Sequence, residues 1–175
     1  RVDELLQKFR ADQAPFTDTA GGLPAEVTDH IVANFVVDLL PKLSMRVARM
    51  HLKVAHKGAV SPAASLEYNA AIEIKGDAGV GLAITADSEF ANRLMQGMVR
   101  IMSGSPDSPL EHHTDYDDIL GELLDIVAGQ IMSNFEQDGK HFDVGPPGHG
   151  ALPATGQLFD LISPAGPASL VLQML

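Results

Sequence analysis

The chain contains no cysteine and no tryptophan, and only 5% of its 175 residues are aromatic. The lack of cysteine excludes a disulfide framework, a thiolate zinc site and a cysteine nucleophile. A chain of this length buries about 70% of its unfolded surface, so it needs neither a disulfide nor a metal to fold. The core must therefore consist of aliphatic side chains and the seven methionines.

Basic residues are also scarce, with 12 Lys and Arg against 23 Asp and Glu and a formal net charge of −11. Nucleic-acid binding needs clustered Lys and Arg, so this composition argues against a nucleic-acid partner. The same charge argues against anionic membrane surfaces. No apolar run approaches the roughly 18 residues of a membrane span, and no signal peptide is visible. We therefore expect a soluble, cytoplasmic protein.

The length fits one domain, or at most two small ones. Residues 1–23 combine a short helical spacing with a breaker-rich stretch that ends in Gly21-Gly22, which predicts an N-terminal arm or extension. Residues 24–175 are predicted to form the folded domain.

Hydrophobic periodicity divides the domain into helices and strands. The helical segments are 24–40, 88–102 and 117–136, and the strand segments are 50–54, 66–75, 80–85, 140–145, 157–163 and 168–174. Pro41 is expected to interrupt the first helix, and 66–85 is expected to be a hairpin. Helices and strands are segregated and no Gly-rich phosphate loop is present, which predicts an α+β fold with long helices packed on a mostly antiparallel six-stranded sheet.

The predicted order also suggests one half repeated, because a helix followed by three strands occurs twice. Residues 26–29 have the same spacing of acidic residues as 122–125, and residues 31–35 are similar to 131–135. The two similarities have different offsets, so a pseudo-twofold repeat stays open.

The segment with the clearest chemical pattern is the helix predicted over 117–136. At about 100° per residue, four of its residues fall within roughly 60° of one another, and we call them the ridge: Asp118, Glu122, Asp125 and Gly129. The opposite, core-facing stripe contains Leu120, Leu123, Val127 and Ile131, with Ile119 and Ile126 beside it. Carboxylates at this spacing repel one another by a few tenths of a kcal/mol per pair, and a helical glycine costs about 1 kcal/mol relative to alanine.

Two interpretations need no partner protein. The ridge is compatible with a solvated acidic helix face, which is what charge runs usually are. The second interpretation is a carboxylate metal site, whose hard or borderline ligands would come from His112, His113, Asp115, Asp117 and Asp118. Adjacent residues on a helix point apart, which weighs against this site, so no metal ligand is assigned.

The stretch Glu122-x-x-Asp125-Ile126-Val127-Ala128-Gly129, with Asp118 four residues earlier, resembles the CheC/CheX family of chemotaxis phosphatases. That family carries Glu-x-x-Asn and then Gly on one long helix, followed about two dozen residues later by a proline, near which Pro147 stands. The resemblance covers roughly residues 24–175 and includes the hairpin and the last two strands. Only one such helix with its full context is present, which is closer to CheX than to CheC.

The resemblance implies a homodimeric α+β protein that accelerates dephosphorylation of a CheY-type response regulator. Glu122 and Asp125 would be its catalytic residues, and Asp118, Gly129 and Pro147 would contact the partner. The family needs no cofactor of its own, because the receiver domain holds both Mg²⁺ and the aspartyl phosphate. Positioning and electrostatics supply most of the catalysis of phosphoryl transfer, so one rigid helix can suffice.

One departure from the family pattern concerns the reaction itself, because Asp125 stands where the family has asparagine. An amide both donates and accepts hydrogen bonds, whereas an ionised carboxylate only accepts. It would also repel a phosphoryl group, since two like charges about 4 Å apart cost about 4 kcal/mol at an effective dielectric of about 20. We therefore expect weak phosphatase activity, with a non-catalytic receiver-binding or dimeric interaction module of the same fold as the alternative.

Overall fold

The computed structural model describes residues 30–76, 79–103, 116–137, 142–148 and 152–175. The strands are β1 (Lys53–Ala59), β2 (Tyr68–Gly76), β3 (Val80–Ala86), β4 (Phe142–Val144), β5 (Gln157–Ile162) and β6 (Ala168–Met174). The helices are a π-helical segment (Val32–Leu39), α1 (Leu40–Ala48), α2 (Ser88–Ser103) and α3 (Tyr116–Gln137), with a short 3-10 turn at Pro62–Ala64. The predicted α+β class is confirmed. The predicted arm, residues 1–23, lies outside the described residues, so the domain boundary stays a prediction.

The six strands form one sheet in the order β1-β5-β6-β3-β2-β4, and all neighbouring strands are antiparallel. The predicted hairpin is confirmed as β2 and β3. The order is symmetric about the central β6–β3 pair. Each half of the chain supplies three consecutive strands, and the first strand of each half lies beside the second strand of the other half.

The two halves also agree in spacing. The starts of β1 and β4, Lys53 and Phe142, are 89 residues apart (142 − 53), and the ends of α1 and α3, Ala48 and Gln137, are also 89 apart (137 − 48). The pseudo-twofold arrangement is therefore present in the topology. Neither of the two sequence similarities has this offset, because one spans 96 residues (122 − 26) and the other 100 (131 − 31).

The similar segments 31–35 and 131–135 are instead neighbours in space. His30 Nε2–H donates to Asn134 Oδ1 over 3.1 Å, and Asn34 Nδ2–H donates to His30 Nδ1, also over 3.1 Å. The first bond joins the start of the first helical region to the end of α3, and the second lies within the first helical region. The start of the first helical region therefore contacts the end of α3.

The core lies between the helices and the inner face of the sheet. Its largest fully buried side chains include Phe90, Phe159, Ile72, Ile74, Leu82, Ile84, Leu94, Leu120 and Leu123. Met50, Met95 and Met98 are buried among them, as the low aromatic content predicts. Among the helices that the structure describes, none is both long and apolar enough to cross a lipid bilayer.

Strand β3 departs from the half-buried alternation predicted for it, because all seven of its residues are buried. Its outer face is small, with Gly81, Ala83 and Thr85, and the link before β2 approaches that face. The Leu66 N–H donates to Thr85 Oγ1 over 2.6 Å. A central strand that is covered on both faces has buried residues at every position instead of at alternate ones.

Two predicted boundaries are wrong at the first helix. Pro41 does not interrupt it, because the proline lies in the first turn of α1, where its missing N–H is tolerated, directly after the π-helical segment. That segment has wider turns, with the Leu40 N–H donating to Phe35 O five residues back. The strand expected at 50–54 begins at Lys53, because Met50 and Leu52 are buried in the link that follows the left-handed Arg49.

Candidate functional site

Helix α3 is held at its N-terminus by contacts to two other elements. The Asn69 N–H, on β2, donates to Asp117 Oδ1 over 3.1 Å. The Tyr116 hydroxyl donates to Asn92 Oδ1 on α2 over 3.2 Å, and its ring packs edge-on against Tyr68 with ring centroids 5.0 Å apart. These contacts fix the helix against the sheet, so a side chain on its outer face has a defined position.

The ridge lies on the outer face of this helix. Asp118, Glu122 and Asp125 are exposed, and Gly129 is half-buried. The opposite stripe predicted for the core is buried, with Leu120, Leu123, Val127 and Ile131 all at 2% exposure or less. The predicted orientation of the helix is therefore confirmed, whereas the roles assigned to the ridge residues stay predictions.

The three carboxylates of the ridge differ in what the helix offers them. Asp118 lies in the first turn, where the helix dipole stabilises a negative charge. Glu122 and Asp125 lie beyond that turn and have neither a hydrogen bond nor an ion pair to any residue that the structure describes. Their like-charge repulsion therefore has no compensation within the described part of the chain.

Gly129 has no packing reason to be glycine. A Cβ built on it would meet nothing within 4 Å among the described residues, and the backbone there is ordinary helix. Alanine would be more stable at this position by about 1 kcal/mol. The glycine thus leaves the ridge open beside Asp125, as the sequence predicted for a site that another molecule approaches closely.

Pro147 reaches the same helix through a bulge. The pair Ile74–Val144 and the bond from the Gly145 N–H to Glu73 O continue β4 along β2, but the next bridge joins Ala71 to Gly148. Two tail residues, Pro146 and Pro147, therefore stand opposite one residue of β2. Bulges of this kind redirect a side chain, and prolines fit them because they donate no ladder bond.

The bulge brings Pro147 to Gly121, the residue before Glu122. A Cβ on Gly121 would lie 2.9 Å from Pro147 Cβ. The structure thus places Pro147 at the side of the ridge that Gly121 borders, and it adds Gly121 to the site. The sequence contained a signal for Gly121, an unfavourable helical glycine, but its neighbour in space could not be identified without the fold.

Ile126 does not lie beside the buried stripe, because its side chain is 38% exposed. It follows Asp125 and is one turn after Glu122, on the side of the ridge away from Gly121. The open face of α3 therefore combines the three carboxylates of the ridge, Gly129 and one apolar side chain.

The metal interpretation finds no support in the described part of the chain, where no group of three or more His, Asp and Glu side chains converges. His112, His113 and Asp115 lie outside the described residues. Asp117 is engaged by the backbone of Asn69.

No family model matches the sequence, and no curated protein matches it. Solved structures do match. CheX from Desulfovibrio desulfuricans aligns over 83% of this chain and 99% of its own, with a TM-score of 0.61 and 14% identity. A CheC-like superfamily protein from Shewanella sp. PV-4 aligns over 87% of this chain and 99% of its own, with a TM-score of 0.60 and 20% identity.

The chain has the CheC/CheX fold. CheX from Vibrio vulnificus agrees, with a TM-score of 0.58 and 18% identity over 86% of this chain and all of its own. The fold implied by the resemblance of the Glu122–Gly129 stretch is therefore confirmed. Identities of 14–20% establish the CheC/CheX fold alone, so what the ridge does depends on the chemistry of its own residues.

Proposed function

We propose that this CheX-like chain binds a phosphorylated CheY-type receiver domain through the ridge and promotes hydrolysis of its aspartyl phosphate, weakly because of Asp125. The observation that carries the proposal is the pair Glu122 and Asp125, both exposed and both without a partner among the described residues. Two uncompensated carboxylates one turn apart on a fixed helix are suited to a partner that brings its own positive charge.

Glu122 would pair with a lysine of the receiver's active site. Such a pair becomes partly desolvated when the two proteins meet, which makes it more specific than an exposed ion pair. The open surface at Gly129 allows close approach of the partner backbone, and Ile126 and Pro147 supply apolar area on the two sides of the charged residues. Charged groups with adjacent apolar contacts are typical of a protein interface.

Asp125 would face the attacking water. The receiver supplies the phosphoryl group and the Mg²⁺, and this chain supplies no cofactor. A carboxylate at this position accepts a proton or a hydrogen bond from the water, but it cannot donate one to the phosphoryl oxygens as an amide does. Its charge also opposes the negative phosphoryl group. We therefore expect an acceleration well below that of the same chain with asparagine at this position.

The second candidate is a receiver-binding module without catalysis, and the same residue favours it. If the repulsion at Asp125 prevents water from being oriented, Glu122, Ile126 and Gly129 still form a binding face. A homodimer, as the resemblance implies, is compatible with both candidates.

The test is the decay of a phosphorylated CheY-type receiver, measured alone and with the wild-type chain, Asp125→Asn or Glu122→Gln. We expect a small acceleration by the wild type, an increase of about tenfold or more with Asp125→Asn, and none with Glu122→Gln. Asp38→Asn is the matched control, because Asp38 is an exposed helical aspartate paired with Lys42 away from the ridge.

If neither the wild type nor Asp125→Asn accelerated the decay, the proposed phosphatase activity would be excluded. Calorimetry would then measure binding of the receiver. Loss of binding in Glu122→Lys but not in Glu89→Lys, an equal charge change on α2, would support the non-catalytic binding module. Equal binding by both variants would remove the ridge as the interface.

A further inference from the structure

The contact between α3 and the tail of β4 depends on a residue that the proposed function does not use. Gly121 is buried, and a Cβ on it would lie 2.9 Å from Pro147 Cβ and 3.6 Å from Pro147 Cγ. The shorter distance is below what real Cβ atoms tolerate, and both proline atoms belong to a closed ring that cannot rotate away. Glycine is the least favourable ordinary residue inside a helix, so its presence here needs this local reason.

The backbone of the tail restricts how far Pro147 can yield. On one side, Gly148 makes two hydrogen bonds to β2. The Gly148 N–H donates to Ala71 O over 2.7 Å, and the Ala71 N–H donates to Gly148 O over 2.9 Å. The Gly145 N–H on the other side is held to Glu73 O over 2.9 Å. A side chain at position 121 would therefore push against a proline anchored at both ends.

We propose that Gly121 is a positioning residue, whose missing side chain lets the bulged Pro147 seat against α3 and thereby fixes the proline at the edge of the ridge formed by Asp118 and Asp125. Gly121 touches no substrate, and it acts through Pro147. The contact between Pro147 and Gly121 is a property of this chain alone. The effect of that contact on binding of a receiver domain rests on the proposed function.

The first experiment compares Gly121→Ala with Gly129→Ala, a matched control on the same helix with nothing within 4 Å of the added Cβ. Amide hydrogen exchange at Ala71 and Gly148 should become about tenfold faster in Gly121→Ala, because the bulge is displaced and its two bonds open more often. Gly129→Ala should accelerate exchange at neither amide. Equal rates in the wild type and Gly121→Ala would overturn the seating.

The second experiment is a double-mutant cycle with Pro147→Gly, which removes both atoms that the new Cβ would meet. Gly121→Ala should lower the urea midpoint of the wild type but leave it unchanged or raise it in the Pro147→Gly background. An equal decrease in both backgrounds would show that Gly121 is required for some reason other than Pro147, and the proposal would fail.

The third experiment separates positioning from folding. The affinity for a phosphorylated receiver should fall about tenfold in Gly121→Ala, and it should stay low in the double variant although stability is regained, because neither variant has the proline in place. Wild-type affinity in Gly121→Ala with an altered Gly148 exchange rate would overturn the positioning role. If the wild type itself bound no receiver, the proposed function would fail, while exchange and the cycle would still decide whether Gly121 seats Pro147.

Discussion

The two halves of the molecule share one topology but differ in the charged residues that their helices expose. The described part of the first helical region, residues 30–48, contains one carboxylate, Asp38, which pairs with Lys42 over 3.0 Å. Val36 is 1% exposed, whereas Asp125 is exposed. The second half therefore presents Glu122 and Asp125 without a partner among the described residues, whereas the first half has one paired carboxylate and a buried apolar face that includes Val36.

The difference teaches that the acidic ridge is not required by the repeated fold. Helix α3 packs on β2, β3 and β4, while the π-helical segment packs on α1, α3 and β1. Both helices bury an apolar face, and the first does so without a pair of neighbouring carboxylates among its described residues. The repulsion between Glu122 and Asp125 therefore contributes nothing to the stability of the described fold.

The largest effect is expected from moving the ridge chemistry into the first half with Val36→Asp. This substitution buries a carboxylate that no nearby group is arranged to receive, so we expect a loss of about 4 kcal/mol in the free energy of unfolding. Urea denaturation measures it. The reverse exchange, Asp125→Val, should change the free energy of unfolding by less than about 0.5 kcal/mol, as at other exposed positions. Similar losses from both substitutions would contradict the comparison.

A second large effect is expected at Gly97, where α2 crosses α1. A Cβ there would collide with the Val47 carbonyl oxygen and lie 2.7 Å from Ala48 Cα, both of which are backbone atoms. Gly97→Ala should therefore cost about 3 kcal/mol by forcing the two helices apart. Thermal denaturation checks this value, and a neutral result would show that the helices separate without cost.

The opposite sign is expected for Gly129→Ala. Because nothing lies within 4 Å of the added Cβ, the variant should gain about 1 kcal/mol from helix propensity alone. The same variant should bind a receiver less well, since the methyl group fills the open surface next to Asp125. Greater stability with unchanged binding would show that Gly129 does not face the partner.

The smallest effect is expected from Glu122→Gln, which removes repulsion toward Asp118 and Asp125. We expect a gain of about 0.3 kcal/mol at low salt that disappears at high salt, because salt screens exposed charges. A pair of urea titrations at the two ionic strengths is sufficient. A loss of stability would mean that Glu122 has a favourable partner within the chain.

The sequence predicts the sheet and α3 well because their signals are local. Alternation over 66–75 and the helical stripe through Leu120, Leu123 and Val127 each follow from one period. The helix end predicted at Pro41 is wrong, because the local rule against proline inside a helix does not account for a π-helical turn directly before it. Gly121 was missed because the reason for it lies 26 residues away, at Pro147 (147 − 121), and only the bulge beside β2 brings the two together.

The surface that meets a phosphorylated CheY-type receiver can be mapped directly from the amide chemical shifts of the labelled chain during titration. We expect the largest shifts on the open face of α3, at Glu122, Asp125, Ile126 and Gly129, and near Gly148, with β1 and β5 unaffected. Shifts confined to the β1 and β5 side of the sheet, or none at saturating receiver, would contradict this expectation.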